Sequence, residues 1–240
     1  KDAPPHHRIF RAEVWDRAFY YLDKSGDAAA RLFALPEAVT HYGQALKALE
    51  RLDPSEANTR LRVDTIVKYT LSSWRSDAPA QNLSLLAEAE HMMSMPAGEM
   101  STTDKLRLAR VRFCIGRIHY LQGDMAEAID SFKRVLPIAR ASNDIDLTAI
   151  PSSAIGQTMA ILGHLTEAAA LLLQAIELFE NTANWAEWIQ AMCFLGSASA
   201  GMGKYSEGLT MVGRALERAQ EISFPTGISA AYNGFGFVHL

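Results

Sequence analysis

Three glutamates are the first residues in this sequence that could carry acid–base chemistry. Glu127, Glu167 and Glu207 follow one another at intervals of 40 residues. Each falls in the first turn of a predicted helix, where a carboxylate stabilises the positive end of the helix dipole. A row of repeats would hold the three carboxylates too far apart to act on one substrate atom. We therefore predict a structural role for all three and no catalytic residue in this chain.

Histidine is the residue type that would most readily indicate a metal site. The seven histidines are His6, His7, His41, His91, His119, His164 and His239. No two of them are three or four residues apart, the spacing that brings side chains together on one face of a helix. None stands at zinc-finger spacing from a cysteine. We predict neither a metal site nor a cofactor.

Cys114 and Cys193 are the two thiols that could act as nucleophiles. Each falls on a predicted helix close to a repeated glycine, and no nearby pattern supplies the base that a nucleophilic thiol needs. Free cysteines commonly pack as small apolar side chains. We predict that both thiols pack in the core, and the lack of a disulfide pattern favours a reducing, cytoplasmic compartment.

The composition is that of a globular protein. The chain has 240 residues, of which 49% are hydrophobic and 21% charged, enough for one or two domains. The net charge of −4 argues against direct binding to nucleic acid. Apolar stretches are shorter than the roughly 18 residues of a membrane span, and no secretory signal opens the sequence. Because it begins without Met and stops within the apolar residues 237–240, we expect it to be part of a longer protein.

Two sets of glycines recur at a fixed interval of 40 residues and indicate an internal repeat. The first set is Gly116, Gly156, Gly196 and Gly236, and the second is Gly123, Gly163 and Gly203. In one unit, the apolar period predicts a helix over 102–121 and another over 125–141, separated by Gly123. Glycine in a helix interior costs about 1 kcal/mol relative to alanine, so we predict that a partner helix crosses closely there. The small residues facing the first set would be Ala128, Ala168 and Gly208.

This unit resembles the tetratricopeptide repeat, a helix–turn–helix pair. The matching residues are Ile115-Gly116 with Ala128, Phe132 and Val135; Ile155-Gly156 with Ala168, Leu172 and Ala175; and Leu195-Gly196 with Gly208, Val212 and Ala215. The resemblance implies an all-α, right-handed superhelical solenoid of tetratricopeptide-like helical hairpins. Its 40-residue repeat is longer than the usual length of about 34. The concave groove of such a solenoid would bind a protein, a peptide or a small effector.

Upstream of residue 102 the repeats are more degenerate. Residues 35–46 match a second helix that begins at Pro36, residues 55–73 and 79–94 predict a hairpin interrupted at 76–79, and residues 95–98 predict a loop. Residues 8–25 predict a lead-in helix that ends at Ser25-Gly26-Asp27. The whole chain, 1–240, is thus predicted to be a single solenoid. Its parts are a lead-in (1–26), degenerate repeats (27–54 and 55–96), repeats (102–141, 142–181 and 182–221) and a truncated repeat (222–240).

The start of the chain resembles the repeat region of bacterial multidomain signalling proteins, through residues 15–22, 26–29 and 36–39 in this order. Those proteins carry an adenylate/guanylate-cyclase-like domain, a signal-transduction ATPase domain and a C-terminal tetratricopeptide array. The resemblance implies that this chain is the non-catalytic interaction or effector-sensing array, with any enzymatic activity in domains outside it. The alternatives are the sensor arm of a maltose-regulator-like transcription activator and a stand-alone adaptor. Partial units at the two ends would allow an end-to-end dimer of the isolated chain.

The tetratricopeptide resemblance assigns groove-lining positions to the first helix of each repeat. They correspond here to Arg110, Phe113, Arg117, Tyr120, Ser153, Gln157, Gln190, Cys193, Ser197 and Asn233. Arginine and tyrosine together suit an acidic or phosphorylated peptide, because arginine forms paired hydrogen bonds with carboxylates. The alternative is that the arginines of this helix pair with Glu88 and Glu90 or face water.

Trp185 and Trp188 lie close together ahead of the helix that contains Gly196. An exposed pair of tryptophans could be a binding hot spot. Packing between repeats is the interpretation that we favour.

Overall fold

The computed structural model describes residues 5–73, 79–94 and 100–239, with side chains from residue 14 onward. Within these residues the chain forms eleven α-helices and no strand. The helices are α1 (Pro5–Arg31), α2 (Leu35–Leu49), α3 (Glu56–Ser73), α4 (Pro79–Met92), α5 (Thr102–Gln122), α6 (Met125–Ser142), α7 (Ile145–Ile161), α8 (Leu165–Thr182), α9 (Trp185–Gly201), α10 (Tyr205–Glu221) and α11 (Pro225–His239). We call the odd-numbered helices first helices and the even-numbered helices second helices, by their order along the chain. The predicted all-α class is confirmed.

The chain divides into two compact units, Lys1–Ile118 and His119–Leu240. We refer to them as unit 1 and unit 2. The core of unit 1 contains side chains that are fully buried, among them Val63, Ile66, Leu86 and Val111. The core of unit 2 likewise contains Leu172, Phe179, Ile189 and Val212. Each unit therefore has a hydrophobic core of its own.

Each second helix buries one face through the same four positions. In α8 these are Ala168, Leu172, Ala175 and Phe179, spaced i, i+4, i+7 and i+11, a spacing that keeps them on one side of an α-helix. The corresponding buried residues are Ala38, Tyr42, Ala45 and Leu49; Asn82, Leu86, Ala89 and Met93; Ala128, Phe132, Val135 and Ala139; and Gly208, Val212, Ala215 and Ala219. The first position is alanine or glycine in four of these five helices, and at Ala168 and Gly208 a first helix crosses close to the backbone.

Glycines in the left-handed conformation end three first helices. Gly123, Gly163 and Gly203 have φ values of +86°, +84° and +81°. The next residue donates its backbone N–H to a carbonyl five residues earlier, as His164 does to Met159 at 2.9 Å. This closure satisfies carbonyls that the end of a helix would otherwise leave unpaired. The predicted helix ends at the second glycine set are confirmed.

The first glycine set marks close helix crossings at two of its positions. A Cβ on Gly156 would lie 2.9 Å from the Leu172 side chain, and one on Gly196 would lie 2.6 Å from Val212 and 2.9 Å from the Gly208 carbonyl oxygen. The predicted close approach is confirmed at both. Within the part of the chain that the structure describes, a Cβ on Gly236 would meet nothing within 4 Å. Because α11 is the last of the described helices, no second helix follows Gly236, and the close approach there stays a prediction.

Helix α1 runs past the point where the sequence predicted its end. It continues through Ser25-Gly26-Asp27 to Arg31, so the prediction that the lead-in helix ends there is wrong. Gly26 is buried, and a Cβ on it would overlap with the ring of Tyr42. Gly26 thus lets α2 pack closely on α1. The same dipeptide, Gly-Asp, has the opposite effect at residues 123–124, where it ends α5.

The turn from α1 to α2 lies seven residues beyond Gly26 and is made without glycine. Phe33 takes the left-handed conformation with φ +56°. Ala34 donates its backbone N–H to the Ala29 carbonyl at 3.0 Å. This is the same closure as at Gly123, Gly163 and Gly203, with a phenylalanine in the glycine position.

Several smaller predictions can be compared with the helices. The predicted hairpin of residues 55–73 and 79–94 corresponds to α3 and α4. Glu127, Glu167 and Glu207 lie in the first turns of α6, α8 and α10, as predicted. The predicted interruption at 76–78 and the predicted loop at 95–98 lie outside the described residues. No helix within the described ranges has the length and apolarity that crossing a membrane requires.

Candidate functional site

A cavity of about 200 Å³ lies between two first helices of unit 2, α9 and α11. It is lined by Gln190, Cys193, Phe194 and Ser197 of α9 and by Ala230, Asn233, Gly234 and Phe237 of α11. Both sets follow the spacing i, i+3, i+4 and i+7, so each forms one face of its helix. The two sets are also 40 residues apart, position by position. The structure thus brings together four of the predicted groove residues, Gln190, Cys193, Ser197 and Asn233.

The lining of this cavity is uncharged. Phe194 and Phe237 supply aromatic surface, and Phe237 is 69% exposed. The side-chain amides of Gln190 and Asn233 can each donate and accept hydrogen bonds. The Ser197 hydroxyl donates to the Cys193 carbonyl at 3.0 Å. The cavity therefore offers apolar walls with amide groups beside them.

Cys193 contributes a protonated thiol to this cavity. Its side chain is buried, and burial raises the pKa of the thiol to about 12. In unit 1, burial raises the pKa of the Cys114 thiol to about 11, although a hydrogen bond from Thr70 opposes the shift. Neither thiol is ionised near neutral pH, so neither is an activated nucleophile. The prediction that both cysteines pack as core residues is confirmed.

Ser153 and Gln157 of α7 interact with one another. The Gln157 amide donates to the Ser153 hydroxyl at 3.1 Å, and Ser153 is fully buried. Neither residue lines the cavity between α9 and α11. Their assignment as ligand contacts stays a prediction.

The four predicted groove residues of α5 have three different surroundings. The Arg117 guanidinium lies 6.0 Å from the centre of the Phe113 ring, over its face. Tyr120 is partly buried, and this desolvation raises the pKa of its hydroxyl. Arg110 is exposed and lines a cavity of about 360 Å³ in unit 1, together with Asp23, Asp64 and Lys68.

Charged residues spaced four apart on α3 pair with both neighbouring first helices of unit 1. Arg60 donates to Asp104 of α5 at 2.9 Å, and Arg107 of α5 donates to Asp64 at 3.0 Å. Lys68 lies 2.7 Å from Asp23 and 2.9 Å from Asp27, both on α1. Sequence reasoning missed this ladder of ion pairs. The i, i+4, i+8 spacing of Arg60, Asp64 and Lys68 places their side chains on one face of α3, but it does not identify their partners on other helices.

Asp104 is the most strongly perturbed carboxylate of the ladder. Hydrogen bonds from Arg60, and further ones from Ser101 and Arg107, lower its pKa to about 2 although burial opposes the shift. On the other side of α5, Arg112 donates to Glu90 at 2.8 Å. The alternative interpretation of the basic residues, pairing with nearby glutamates, is thus correct for Arg112. Glu88 instead accepts from Arg62 at 3.0 Å.

Residues 107–181 match the tetratricopeptide repeat family. No curated protein matches the chain. The family match runs from α5 to α8. It includes members of both glycine sets and the four buried positions of the second helices α6 and α8. Residues 107–181 are a tetratricopeptide repeat region.

Solved structures with a similar fold cover most of the chain. Aspartyl phosphate phosphatase F from Bacillus subtilis has a TM-score of 0.73 at 14% identity, with 91% of this chain and 55% of that chain covered. A Rap protein complexed with competence and sporulation factor has a TM-score of 0.74 at 18% identity, with 89% and 57% covered. The chain therefore spans somewhat more than half the length of these two proteins.

A third similar structure is a signal transduction ATPase with numerous domains from Pyrococcus horikoshii, which has a tetratricopeptide repeat sensor. Its TM-score is 0.67 at 15% identity, with 92% of this chain and 33% of that chain covered. At these identities the likeness establishes the shared helical-repeat fold.

The tetratricopeptide pattern identified half of the lining of the cavity between α9 and α11. It missed Phe194, Ala230, Gly234 and Phe237. A signal for them existed, because each lies 40 residues from another lining residue. Residues at equivalent positions of the consecutive first helices α9 and α11 face the same cavity.

Trp188 contacts the preceding repeat, as predicted, whereas Trp185 contacts α10 of its own hairpin. Trp188 is 3% exposed and donates its indole N–H to Glu180 at 3.0 Å. The Arg218 guanidinium lies 4.2 Å from the ring centre of Trp185. Among the described residues, no group of three or more His, Cys, Asp or Glu side chains is arranged to hold a metal ion.

Proposed function

We propose that this chain is the non-catalytic interaction module of a larger cytoplasmic signalling protein. In this proposal, the cavity between α9 and α11 receives an apolar side chain of a partner protein or peptide. The observation that carries the proposal is the uncharged lining of that cavity, which equivalent positions of two consecutive first helices supply. The buried, protonated thiol of Cys193 supports binding over catalysis.

The size and polarity of the cavity define the ligand. A protein cavity of about 150 Å³ holds a benzene molecule, so the volume of about 200 Å³ suffices for a phenyl ring or a branched aliphatic side chain. The amides of Gln190 and Asn233 can pair with the backbone on either side of that side chain. An extended peptide segment with one large apolar residue meets both requirements.

The signalling context rests on similarity of fold. One protein with the same fold is complexed with competence and sporulation factor, and another is a signal transduction ATPase with a tetratricopeptide repeat sensor. The unpaired thiols of Cys114 and Cys193 support a reducing compartment. Linkage to a cyclase-like or ATPase domain is part of this proposal, and sequencing the parent transcript on both sides of the chain tests it.

An acidic residue in the partner is a further part of the proposal, and Arg110 supports it. Arg107 and Arg112 are engaged with carboxylates of this chain. Arg110 is exposed at its cavity, with no ion pair to any other described residue. Reversal of its charge, Arg110→Glu, should weaken binding of an acidic partner and leave the helix content unchanged.

Binding to an array of synthetic random-sequence peptides tests the cavity. We expect the bound peptides to share one aromatic or branched aliphatic residue, and Asn233→Trp to weaken their binding about tenfold or more by filling the cavity. Tyr232→Trp is the matched control, because Tyr232 is the preceding residue of α11, is 60% exposed and does not line the cavity. If the Asn233→Trp variant bound the same peptides as the wild-type chain, the cavity would not be the site.

A further inference from the structure

Two neighbouring apolar side chains project from the turn between α1 and α2. Leu32 is 80% exposed and Phe33 is 79% exposed. The run from Leu32 to Pro36 contains no charged residue. We call Leu32 and Phe33 the apolar knob. Exposing two adjacent large apolar side chains to water has a free-energy cost. Only a surface that covers the knob would remove this cost.

The backbone at Phe33 is also unfavourable. Phe33 has φ +56°, whereas the equivalent turns after α5, α7 and α9 place Gly123, Gly163 and Gly203 in the left-handed conformation. The other left-handed residues without glycine among those described are the smaller Asn143, Ala183 and Ser223. A bulky side chain in this conformation is a genuine outlier. Exposure and strain are separate costs at one residue, and they indicate that the knob has a role in binding.

The cavity between α9 and α11 has the properties that the knob requires. Its volume of about 200 Å³ exceeds what a phenyl ring needs, and its lining is uncharged. The described cavities of unit 1 are less suitable, because Asp23, Asp64, Lys68 and Arg110 line one of them. Glu56, Arg60 and Asp104 line another. An uncharged knob matches an uncharged cavity, since burying it against these charges would desolvate them.

We propose that Phe33 of one copy of the chain inserts into the cavity between α9 and α11 of a second copy. The inference rests on the proposed function of that cavity and names its occupant. Knob and cavity are different surfaces, so the contact is heterologous, and further copies can add in the same way to form a closed ring or an open row. The knob exposes roughly 300 Å², well below the roughly 800 Å² per partner of a stable interface. Association is therefore weak.

Sedimentation velocity of the full chain at increasing concentration tests this contact. We expect the wild-type chain to form species larger than a dimer as its concentration rises. Phe33→Gly removes the knob and relieves the left-handed strain, so it should abolish association while Tm stays at or above the wild-type value. Asn233→Trp should abolish association by filling the cavity. Leu162→Ala is the matched control, because Leu162 precedes Gly163 as Leu32 precedes Phe33 and is 48% exposed.

A mixing experiment separates this contact from any other mode of association. The Phe33→Gly variant keeps an intact cavity, and the Asn233→Trp variant keeps an intact knob. Each alone should be monomeric, and their mixture should form a one-to-one dimer that grows no further. Wild-type chain that stays monomeric, Phe33→Gly that associates as strongly as wild type, or a mixture that forms no dimer would each overturn the inference. Peptide binding by a chain that does not self-associate would leave the proposed function intact.

Discussion

Gly196 lies at a close crossing between the first helix α9 and the second helix α10 of unit 2. An added Cβ would lie 2.6 Å from Val212 and 2.9 Å from the carbonyl oxygen of Gly208. A backbone oxygen cannot move aside as the end of a flexible side chain can. The glycine therefore offsets its conformational cost by allowing α9 and α10 to approach, which a larger residue would prevent.

The pair Gly196 and Gly236 provides a matched test of this role. Gly196→Ala should destabilise the chain by about 1–3 kcal/mol, because the added methyl overpacks the crossing. Gly236→Ala, at the equivalent position of α11, should stabilise it by up to about 1 kcal/mol, because the added methyl meets nothing and alanine favours helix. Urea denaturation of the two variants measures the difference. Equal midpoints for Gly196→Ala and Gly236→Ala would contradict the explanation.

Single residues also show what the sequence pattern could and could not predict. The 40-residue spacing identified both glycine sets, but it could not say which atoms lie opposite each glycine. That depends on the neighbouring helix, and it differs between Gly196 and Gly236. At Gly26 the local pattern was misleading, because a glycine that admits the Tyr42 ring has the same sequence appearance as a glycine that ends a helix. Phe33 gave no turn signal at all.

At the scale of elements, helix α3 adds ion pairs along one face to the core packing of its buried Val63 and Ile66. Its residues Arg60, Asp64 and Lys68 each find a partner of opposite charge on α5 or α1. The helix itself was predicted from its boundaries and its apolar residues. The ion pairs were not, because a partner on another helix can be assigned only when the packing of helices is known.

The ladder predicts a dependence of stability on pH. The pKa of Asp104 in the folded chain is about 2, below its ordinary value of 3.8. Because the folded pKa is depressed, the stabilisation is fully present above about pH 4. It is lost as the pH falls from there towards about 2, since the folded state must then bind a proton that the unfolded state already holds. Urea midpoints measured across this range should fall in the wild-type chain.

Asp104→Asn should cost on the order of 2 kcal/mol at neutral pH and flatten the acid dependence. Glu56→Gln is the control, because Glu56 accepts from the same arginine at 3.2 Å but is 82% exposed at its side chain. That exposed pair should contribute less than about 1 kcal/mol. The assignment fails if Asp104→Asn retains the acid dependence of the wild-type chain.

For the whole molecule, the repeat class was accessible from sequence because it depends on spacing alone. The 40-residue interval between glycines, together with the repeated apolar positions of the second helices, indicates a helical hairpin in each repeat. The cavity between α9 and α11 was only half predicted, since its lining depends on which face of each first helix is open. The division into units 1–118 and 119–240 has no marker in the pattern, because residues 118 and 119 lie inside the continuous helix α5.

Each unit contains one cysteine, so thiol reactivity reports on the two units separately. Burial raises the pKa values of Cys114 and Cys193 to about 11 and about 12. The pKa of a cysteine thiol in an unfolded chain is about 8.5. At mildly alkaline pH the native chain should therefore resist iodoacetamide at both positions, and the urea-unfolded chain should react at both. Mass spectrometry of the tryptic peptides measures each site.

Destabilisation of one unit should then appear at its own thiol. Gly196→Ala overpacks the core that surrounds Cys193, so it should raise the labelling rate of Cys193 more than that of Cys114. Asp104→Asn weakens an ion-pair ladder of unit 1 and should have the opposite preference. Equal acceleration of both sites in both variants would show that the two cores open together. Rapid labelling of Cys193 in the native wild-type chain would instead contradict its place as a buried, protonated part of the cavity wall.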